Sequence, residues 1–253
     1  MQGRDAAART AAPRTTGTRA PGRRPQKTLL AGAPGRQRAG ERLRQAILAG
    51  DMAPGQRLIE EELAGMLAVT RSSLRGALYD LAAEGLVERI PNRGARVRVI
   101  TIGEAVAITE CRMALEGLCA AKAAELVTDA EATRLHQLGE QMRSCVADGE
   151  SLKYSELNHE LHRLVREISG QSVAARLLEQ LNGQLVRHQF RLSLRPGRAQ
   201  ASLPQHLAII AAITARRPAE AEEAAWNHLR SVITALLDQQ QPERQTTEAP
   251  EAG

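Results

Sequence analysis

Residues 70–81, TRSSLRGALYDL, decide the fold of the N-terminal part of the chain. Leu74, Leu78 and Leu81 recur at the i, i+4, i+7 spacing that gives a helix one apolar face. Thr70 stands before them as a suitable N-cap, because its hydroxyl can accept a hydrogen bond from a free N–H group of the first turn. Four polar residues are expected to be exposed together in that turn: Arg71, Ser72, Ser73 and Arg75. The pattern predicts an amphipathic helix with a basic N-terminal end.

Two further helices are predicted before this one. Apolar residues recur at helical spacing over residues 43–48, and residues 51–55 contain the Pro and Gly that are typical of a turn. A second helix is expected to begin near Ile59, because its first turn carries three glutamates where the helix dipole favours negative charge. Only two residues separate the end of that helix from Thr70. The second and third helices therefore form a predicted helix-turn-helix.

Alternating apolar and polar residues follow the third helix and predict a β-hairpin. Gly85 ends the helix, residues 86–90 are interpreted as a strand, and residues 91–94, PNRG, as its turn. In the second strand, residues expected to face the core alternate with arginines expected to face outward: Ala95, Val97 and Val99 against Arg96 and Arg98. A helix-turn-helix followed by a hairpin with a basic tip is typical of a winged DNA-binding domain. An arginine-bearing amphipathic helix can equally be a solvated face, so these patterns alone leave both interpretations open.

The positive charge of the chain is concentrated at its N-terminus. Residues 1–38 carry nine Lys and Arg against one acid, residues 39–100 nine against eight, and residues 101–253 sixteen against twenty, so the net charges are +8, +1 and −4. We interpret residues 1–38 as a disordered basic arm that either attracts DNA phosphates or is a solvated tail. Residues 39–100 are the predicted winged domain, in which six arginines outnumber three acids between Arg71 and Arg98.

The composition favours helices and excludes several classes of protein. Hydrophobic residues make up 43% of the chain and aromatic residues only 2%, so Leu, Ala, Ile and Val must form the core. No apolar run is long enough to span a membrane, and the N-terminus lacks the apolar segment of a signal peptide, which predicts a cytoplasmic protein. Cys111, Cys119 and Cys145 are odd in number and show no CxxC spacing, so we interpret them as reduced thiols within helices.

Residues 101–240 are predicted to form an all-helical domain. Six helices separated by Gly, Pro or Asp are expected at about 103–127, 129–148, 151–169, 172–194, 203–216 and 218–240. Their short connections favour an antiparallel helical bundle, and residues 241–253 are interpreted as a disordered tail. The expected fold class is therefore mainly α: an N-terminal winged helix-turn-helix, with three helices and a β-hairpin wing, and a C-terminal all-α antiparallel helical bundle.

Polar side chains on helices that should face a core indicate a candidate metal site. Asn158 and His162 are four residues apart and share one helix face, whereas His206 and His228 belong to the two last predicted helices. If the three imidazoles converge, they offer a nitrogen-rich site for zinc, nickel or a similar divalent ion. Spacing alone does not establish that convergence, because a helical histidine is more often a core or surface residue. We interpret the remaining histidines in that way: His136, His159 and His188.

The N-terminal domain resembles the DNA-binding domain of GntR-family regulators. The matching residues are 47–50 (ILAG), 54–55 (PG), Leu58, 62–64 (ELA), 69–78 (VTRSSLRGAL), Leu81, 84–87 (EGLV) and 91–94 (PNRG). The resemblance implies that Arg71 and Arg75 contact operator bases and phosphates, and that the residue matching Gly94 enters the minor groove. It further assigns supporting DNA contacts to Thr70, Ser72 and Ser73, and Arg93 in the basic tip of the hairpin is added as a candidate contact. The family pattern usually has Glu where Gly76 stands, which should loosen the helix without removing DNA binding.

The C-terminal domain is similar to the FCD ligand-binding domain of the FadR subfamily. The matching residues are 112–116 (RMALE), Asn158 and His162, 169–171 (SGQ), His206 and 227–229 (NHL). The resemblance implies that an Asp and three His bind a divalent metal that helps to hold a small carboxylate effector. Asn158 takes the place of that Asp, which should weaken the metal site. Arg112 is the candidate for the effector carboxylate, the alternative being an Arg112–Glu116 pair on the helix surface.

The predicted function is a homodimeric transcription regulator that binds an inverted repeat in double-stranded DNA. An organic acid would control its DNA affinity, with ligand-relieved repression as the expected mode and activation as the alternative. Two other functions compete with this one and explain less of the sequence. A metal-dependent hydrolase lacks an HExxH motif or a recognisable nucleophile, so no enzyme is expected. A nucleoid-type protein that binds DNA without an effector leaves the polar core residues without a purpose.

Overall fold

The computed structural model describes residues 29–90 and 94–238. In the N-terminal domain these ranges contain three helices and three short strands: α1 (Gly32–Ala49), β1 (Arg57–Leu58), α2 (Glu60–Leu67), α3 (Arg71–Ala83), β2 (Val87–Ile90) and β3 (Gly94–Val97). The C-terminal domain follows with six helices: α4 (Ile102–Leu126), α5 (Asp129–Ala147), α6 (Ser151–Ile168), α7 (Ser172–Ser193), α8 (Arg198–Thr214) and α9 (Pro218–Leu237). The predicted fold class is confirmed.

The first helix begins earlier than the sequence pattern predicted. Helix α1 already begins at Gly32, within the predicted arm. The prediction that the disordered arm extends to residue 38 is therefore wrong. Tertiary contacts explain the difference. Arg36 donates from Nε to Oδ2 of Asp80 on α3 at 2.6 Å, and Leu30 donates its backbone N–H to the carbonyl oxygen of Ala68 at 2.9 Å. Residues 1–28 of the predicted arm and the tail at residues 241–253 lie outside the described residues.

The helix-turn-helix forms as predicted around one apolar cluster. Leu74, Leu78 and Leu81 are fully buried and pack with Leu43 and Leu58. Because α2 ends in a left-handed residue at position 68, the chain turns sharply into α3. The second and third helices thus pack together through leucines that the pattern had identified.

The wing is a three-stranded sheet rather than a simple hairpin. Strand β3 lies between β1 and β2 and pairs antiparallel with both, with Leu58 opposite Ala95. The two-residue strand β1 was not predicted, because it is too short for an alternating pattern. Val99 is 53% exposed, so its predicted place in the core was wrong: β3 ends at Val97 and the alternation stops there.

The C-terminal helices agree with the predicted positions except at the start of α8. This helix begins at Arg198 instead of residue 203, directly after Gly197 with its positive φ of 78°. Pro204 lies inside α8, where it removes one backbone hydrogen bond. Burial of Ala199, Ser202 and His206 along the same helix stabilises this arrangement. Within the described residues no helix is long and apolar enough to cross a membrane.

The three cysteines are free thiols in helices, as predicted. Cys119 and Cys145 are buried among apolar side chains of the C-terminal core, whereas Cys111 is exposed on α4. Burial raises the pKa of the Cys119 thiol, so this group remains protonated and behaves as a small apolar residue.

Candidate DNA interface and ligand pocket

The N-terminal end of α3 carries two exposed arginines that are paired with acids of α2. Arg71 is 63% exposed and its Nη2 lies 2.6 Å from Oε1 of Glu61. Arg75 is also exposed, and its Nη2 lies 2.8 Å from Oε2 of Glu60. Both guanidinium groups therefore face solvent at the edge where a recognition helix meets the major groove, but their charges are partly met by carboxylates of the preceding helix.

The hydroxyl groups in this turn have different roles. Thr70 is the N-cap of α3, since its Oγ1 accepts a hydrogen bond from the backbone N–H of Ser73 at 3.3 Å. Ser72 is exposed. Ser73 is only 4% exposed and donates its hydroxyl to the carbonyl oxygen of Gly32 at 3.1 Å, so its predicted exposure beside the arginines was wrong. The side chain of Ser73 fastens α1 to α3 instead of facing outward.

Two other positions of the predicted interface can be located in part. Gly94 begins β3 with a φ of 87°, a conformation that favours glycine. Arg93 lies outside the described residues. Gly76, where the family pattern has Glu, leaves room for Arg36: an added Cβ would lie 3.0 Å from Cδ of that arginine. The absence of a side chain at position 76 thus leaves space for the arginine that pairs with Asp80.

A cavity of about 410 Å³ lies inside the C-terminal domain. Residues of α4, α6, α7, α8 and α9 line it, and Leu48 of α1 closes one side, so the DNA-binding domain contributes to its wall. Asn158, His162, His206 and His228 all face this cavity, and so does Arg112. The structure thus brings every sequence-predicted residue of the metal and effector sites to one place.

Three histidines from three helices meet in the cavity wall. The ring centroids of His206 and His228 are 4.3 Å apart, and the His162 ring lies 5.6 Å from the first and 5.3 Å from the second. One nitrogen atom of each ring lies within 4.8 Å of those of the other two. That spacing suits three ligands of a single ion.

The Nδ1 atom of each histidine has a separate polar partner. His162 Nδ1 lies 2.9 Å from Oε2 of Glu116. His206 Nδ1 lies 2.8 Å from the hydroxyl of Tyr154, and His228 Nδ1 lies 3.1 Å from Oε1 of Gln205. Partners of this kind fix the orientation of a metal-binding imidazole and leave its Nε2 for the ion. None of these three partners was assigned to the site from sequence, although Glu116 lies in the quoted RMALE motif.

The electrostatics favour neutral, ligand-competent imidazoles at His206 and His228. Burial, followed by the neighbouring histidines, holds the pKa of His206 well below its ordinary value, and burial also lowers that of His228. The Nε2 atom of His206 and Oδ1 of Asn158 are buried without a hydrogen-bond partner among the described residues. Two unsatisfied polar atoms of residues that line the same cavity are costly unless a ligand occupies them. The donor set therefore fits a divalent cation with nitrogen and oxygen ligands.

Arg112 and Glu116 form a buried pair rather than the surface pair that was the alternative. Their side chains are 8% and 7% exposed, and Nε and Nη2 of Arg112 donate to Oε1 of Glu116 at 3.0 and 2.7 Å. Burial alone would raise the pKa of Glu116, but the charges of Arg112 and His162 hold it well below its usual range. Glu116 thus uses one oxygen for Arg112 and the other for His162.

The other histidines behave as expected from sequence. His136 and His159 are exposed. His188 is buried, and its Nε2 lies 2.9 Å from the carbonyl oxygen of Ile100, in the connection between the two domains. These three therefore take no part in the histidine cluster.

Comparisons with known proteins agree with this architecture. The family model described as bacterial regulatory proteins, gntR family, matches residues 36–97, and the FCD domain matches residues 107–231. A winged helix-turn-helix joined to such a domain defines a class, the DNA-binding transcription regulators with a C-terminal effector-binding domain. This chain belongs to the GntR family and carries an FCD domain.

Individual relatives support the assignment. The Nta operon transcriptional regulator of Aminobacter aminovorans is 31% identical over 73% of this chain and 86% of its own length. The transcriptional repressor NanR of Cronobacter sakazakii is 31% identical over 76% of this chain and 82% of its own length. Among solved structures, McbR/YncC of E. coli has a TM-score of 0.65 and 20% identity, covering 81% of this chain and 97% of that one.

Proposed function

We propose that this regulator is a homodimeric repressor that releases its operator when a small organic acid binds beside a divalent metal ion in the C-terminal cavity. The observation that carries the proposal is the composition of the cavity wall. The histidine cluster, Arg112 and Leu48 of the DNA-binding domain all border the same space of about 410 Å³. A ligand there touches both the sensing and the DNA-binding parts.

The metal would be held by Asn158, His162, His206 and His228. Bound there, a divalent ion such as zinc or nickel supplies positive charge and open coordination positions for a carboxylate. Glu116, Tyr154 and Gln205 orient the three rings through their Nδ1 atoms. Asn158 contributes a neutral oxygen where a carboxylate would bind more strongly, so the affinity for metal is expected to be modest.

Arg112 is the proposed contact for the effector carboxylate, although part of its hydrogen-bonding capacity is already used by Glu116. Its Nε and Nη2 atoms already donate to Glu116, so only its remaining N–H groups are available to a ligand. Glu116 consequently links the effector contact to His162. This arrangement explains how acid and metal binding would support each other.

Helix α7 provides the proposed route from the cavity to the DNA. Asn182, Gly183 and Val186 on this helix line the cavity. Between them, Gln184 donates from Nε2 to the carbonyl oxygen of Glu84, which follows α3, and accepts from Arg98. A shift of α7 upon effector binding would therefore alter the position of the winged domain, which is what a population shift between two dimer geometries requires.

The proposed DNA site consists of residues at the start of α3 and in the wing, of which Arg71, Ser72 and Arg75 are exposed: Thr70, Arg71, Ser72, Arg75, Arg93 and Gly94. Arg71 would read guanine in the major groove through a bidentate contact. Ser73 is left out of this site because its hydroxyl is committed to Gly32. Two copies related by a twofold axis would bind two half-sites of the operator. The protein would act in the cytoplasm, the compartment that contains the operator DNA.

Selection of binding sites from random-sequence DNA tests this function. Full-length protein should enrich an inverted repeat whose half-sites are separated by about one helical turn, because a symmetric dimer presents two recognition helices. The Arg71→Ala variant, carried through the same selection, should enrich no motif. Random sequences recovered with the wild-type protein would instead indicate non-specific DNA binding and contradict the proposal.

A further inference from the structure

The cavity contains more positive charge than its own acids neutralise. Four arginines line it: Arg112, Arg163, Arg166 and Arg198. Among its described lining residues Glu179 is the single carboxylate, and that side chain lies close enough to Arg44 of α1 to affect it electrostatically. An excess of arginine in a partly enclosed space points to an anionic ligand.

Two of these arginines have carboxylate partners of their own. Arg112 is paired with Glu116 behind the cavity wall. Arg163 is paired with Glu167 at 2.5 Å, and both side chains are about half exposed. Within residues 29–90 and 94–238, Arg166 and Arg198 form no such ion pair. These two guanidinium groups are therefore the uncompensated charges of the cavity.

The charge of Arg198 is partly removed from water without a carboxylate partner among the described residues. Its side chain is partly buried, and its Nη1 donates to a neutral partner, Oγ of Ser231, at 3.2 Å. Burial lowers the pKa of Arg198; Tyr154 opposes this effect, and the nearby charge of Arg195 acts in the same direction as burial. A cation that loses water without gaining a counter-ion is destabilised, and a ligand carboxylate would remove that penalty.

Arg166 and Arg198 lie on opposite sides of the histidine cluster. Helices α6 and α8 run in the same direction, because Tyr154 meets Ser202 near their starts and His162 meets His206 further along. Arg166 comes four residues after His162, whereas Arg198 comes eight residues before His206. At about 1.5 Å of rise per residue, the two backbone positions flank the cluster along the helix axes.

We propose that the effector carries two acidic groups, one bound by Arg198 and the other by Arg166, with the middle of the molecule beside the histidine cluster. Arg166 and Arg198 are thus the residues that select a diacid over a monoacid. The inference rests on the proposed function, because it specifies the effector of that same cavity. Either acidic group can be a carboxylate or a phosphate, since arginine binds both.

Isothermal titration calorimetry on the full-length protein tests the inference. The probes are straight-chain dicarboxylic acids of four to seven carbons, monocarboxylic acids of the same lengths, and ω-phosphono acids. At the best length, the diacid should bind at least about tenfold more tightly than the monoacid, as expected for one additional charge-assisted pair. In Arg198→Gln and in Arg166→Gln this preference should fall below about threefold.

Arg163→Gln is the matched control. It removes an arginine from the same cavity wall, but one already paired with Glu167, so the preference for the diacid should remain. Circular dichroism shows whether each variant is folded. An ω-phosphono acid that binds more tightly than the diacid, and still requires both arginines, supports the inference and identifies one group as a phosphate.

Two results would overturn the inference while leaving the proposed function intact. One is equal affinity of the wild-type protein for diacids and monoacids. The other is an undiminished preference in both Arg198→Gln and Arg166→Gln. If no acid of any class binds to folded wild-type protein, the proposed organic-acid effector fails as well, so the two failures are distinguishable.

Discussion

Gln184 on α7 donates a hydrogen bond from Nε2 to the carbonyl oxygen of Glu84, 3.1 Å away, and thereby joins the helix that lines the cavity to the end of α3. The two residues are a hundred positions apart in sequence. Gly85 allows the approach, since a Cβ there would lie 2.7 Å from Nε2 of Gln184. The contact is placed where a change in the cavity can reach the DNA-binding domain.

Removing this contact should weaken the coupling between effector and DNA. In Gln184→Ala, the reduction in operator affinity caused by a bound acid should be several-fold smaller than in the wild type, while each ligand alone binds normally. Fluorescence anisotropy of labelled operator, with and without saturating acid, measures the effect. Gln180→Ala, an exposed position on the same helix, is the control. Unchanged coupling in Gln184→Ala would show that α7 is not the route.

Asn158→Asp should strengthen metal binding. The substitution adds a negative charge at the position whose Oδ1 is buried without a partner, so the Kd for zinc should fall about tenfold or more. His162→Ala should lose the metal, and the exposed His136→Ala should keep it. Elemental analysis of untagged protein and competition with a chelating dye provide the measurements. Equal metal content in wild type and His162→Ala would contradict the site.

Freeing Arg71 from its acidic partner should increase DNA affinity. Glu61→Gln removes a surface pair worth about 0.2–1 kcal/mol, so operator binding should tighten by up to about fivefold. Glu62→Gln, in the same exposed turn, removes an equal charge without a described arginine partner and controls for net charge. An equal gain in both variants, measured at fixed salt, would mean that the Arg71–Glu61 pair itself has no influence.

The pair that holds the start of α1 should make stability depend on pH. Hydrogen bonds from Arg36 lower the pKa of Asp80, against a smaller opposing effect of burial. A carboxyl with a lower pKa in the folded state stabilises the fold above its unfolded pKa and loses that effect as the pH falls. Asp80→Asn should therefore lower the Tm near neutral pH, and the difference from wild type should begin to shrink near about pH 4, the ordinary pKa of Asp, and vanish only below the lowered pKa of the folded state.

Thermal unfolding from pH 3 to pH 7 measures this dependence. Asp51→Asn, an exposed substitution in the loop after α1, should leave the Tm and its pH profile unchanged. A constant difference between Asp80→Asn and wild type at every pH would show that the Asp80 charge does not hold the helix.

The sequence was informative wherever a local pattern determines structure. The leucine stripe of α3 and the N-cap at Thr70 depend on neighbouring residues, and both were predicted correctly. The start of α1 depends on the contact of Arg36 with Asp80, forty-four residues away, which composition cannot show. The exposure of Ser73 was misjudged for the same reason, because its partner Gly32 comes from another helix.

In the candidate site, too, local patterns were predicted and contacts between distant residues were not. Positions on the predicted helices singled out the three histidines, the family resemblance matched them to metal ligands, and the structure brings them together. No local pattern connects Tyr154 with His206 or Gln205 with His228, since these contacts depend on how α6, α8 and α9 pack. Arg166 and Arg198 were likewise missed: an arginine without a counter-ion can be recognised only when the surroundings of every neighbouring acid are known.

Control of operator binding by a ligand in the cavity is the central claim, and one measurement tests it most directly. Operator affinity is determined by fluorescence anisotropy for wild-type protein and for Arg198→Gln, with and without the acid that binds most tightly to the wild type. Saturating acid should weaken operator binding by the wild type at least about tenfold. At the same concentration it should have little effect on the variant. An operator affinity that stays constant while calorimetry shows the acid bound to wild-type protein would contradict the account.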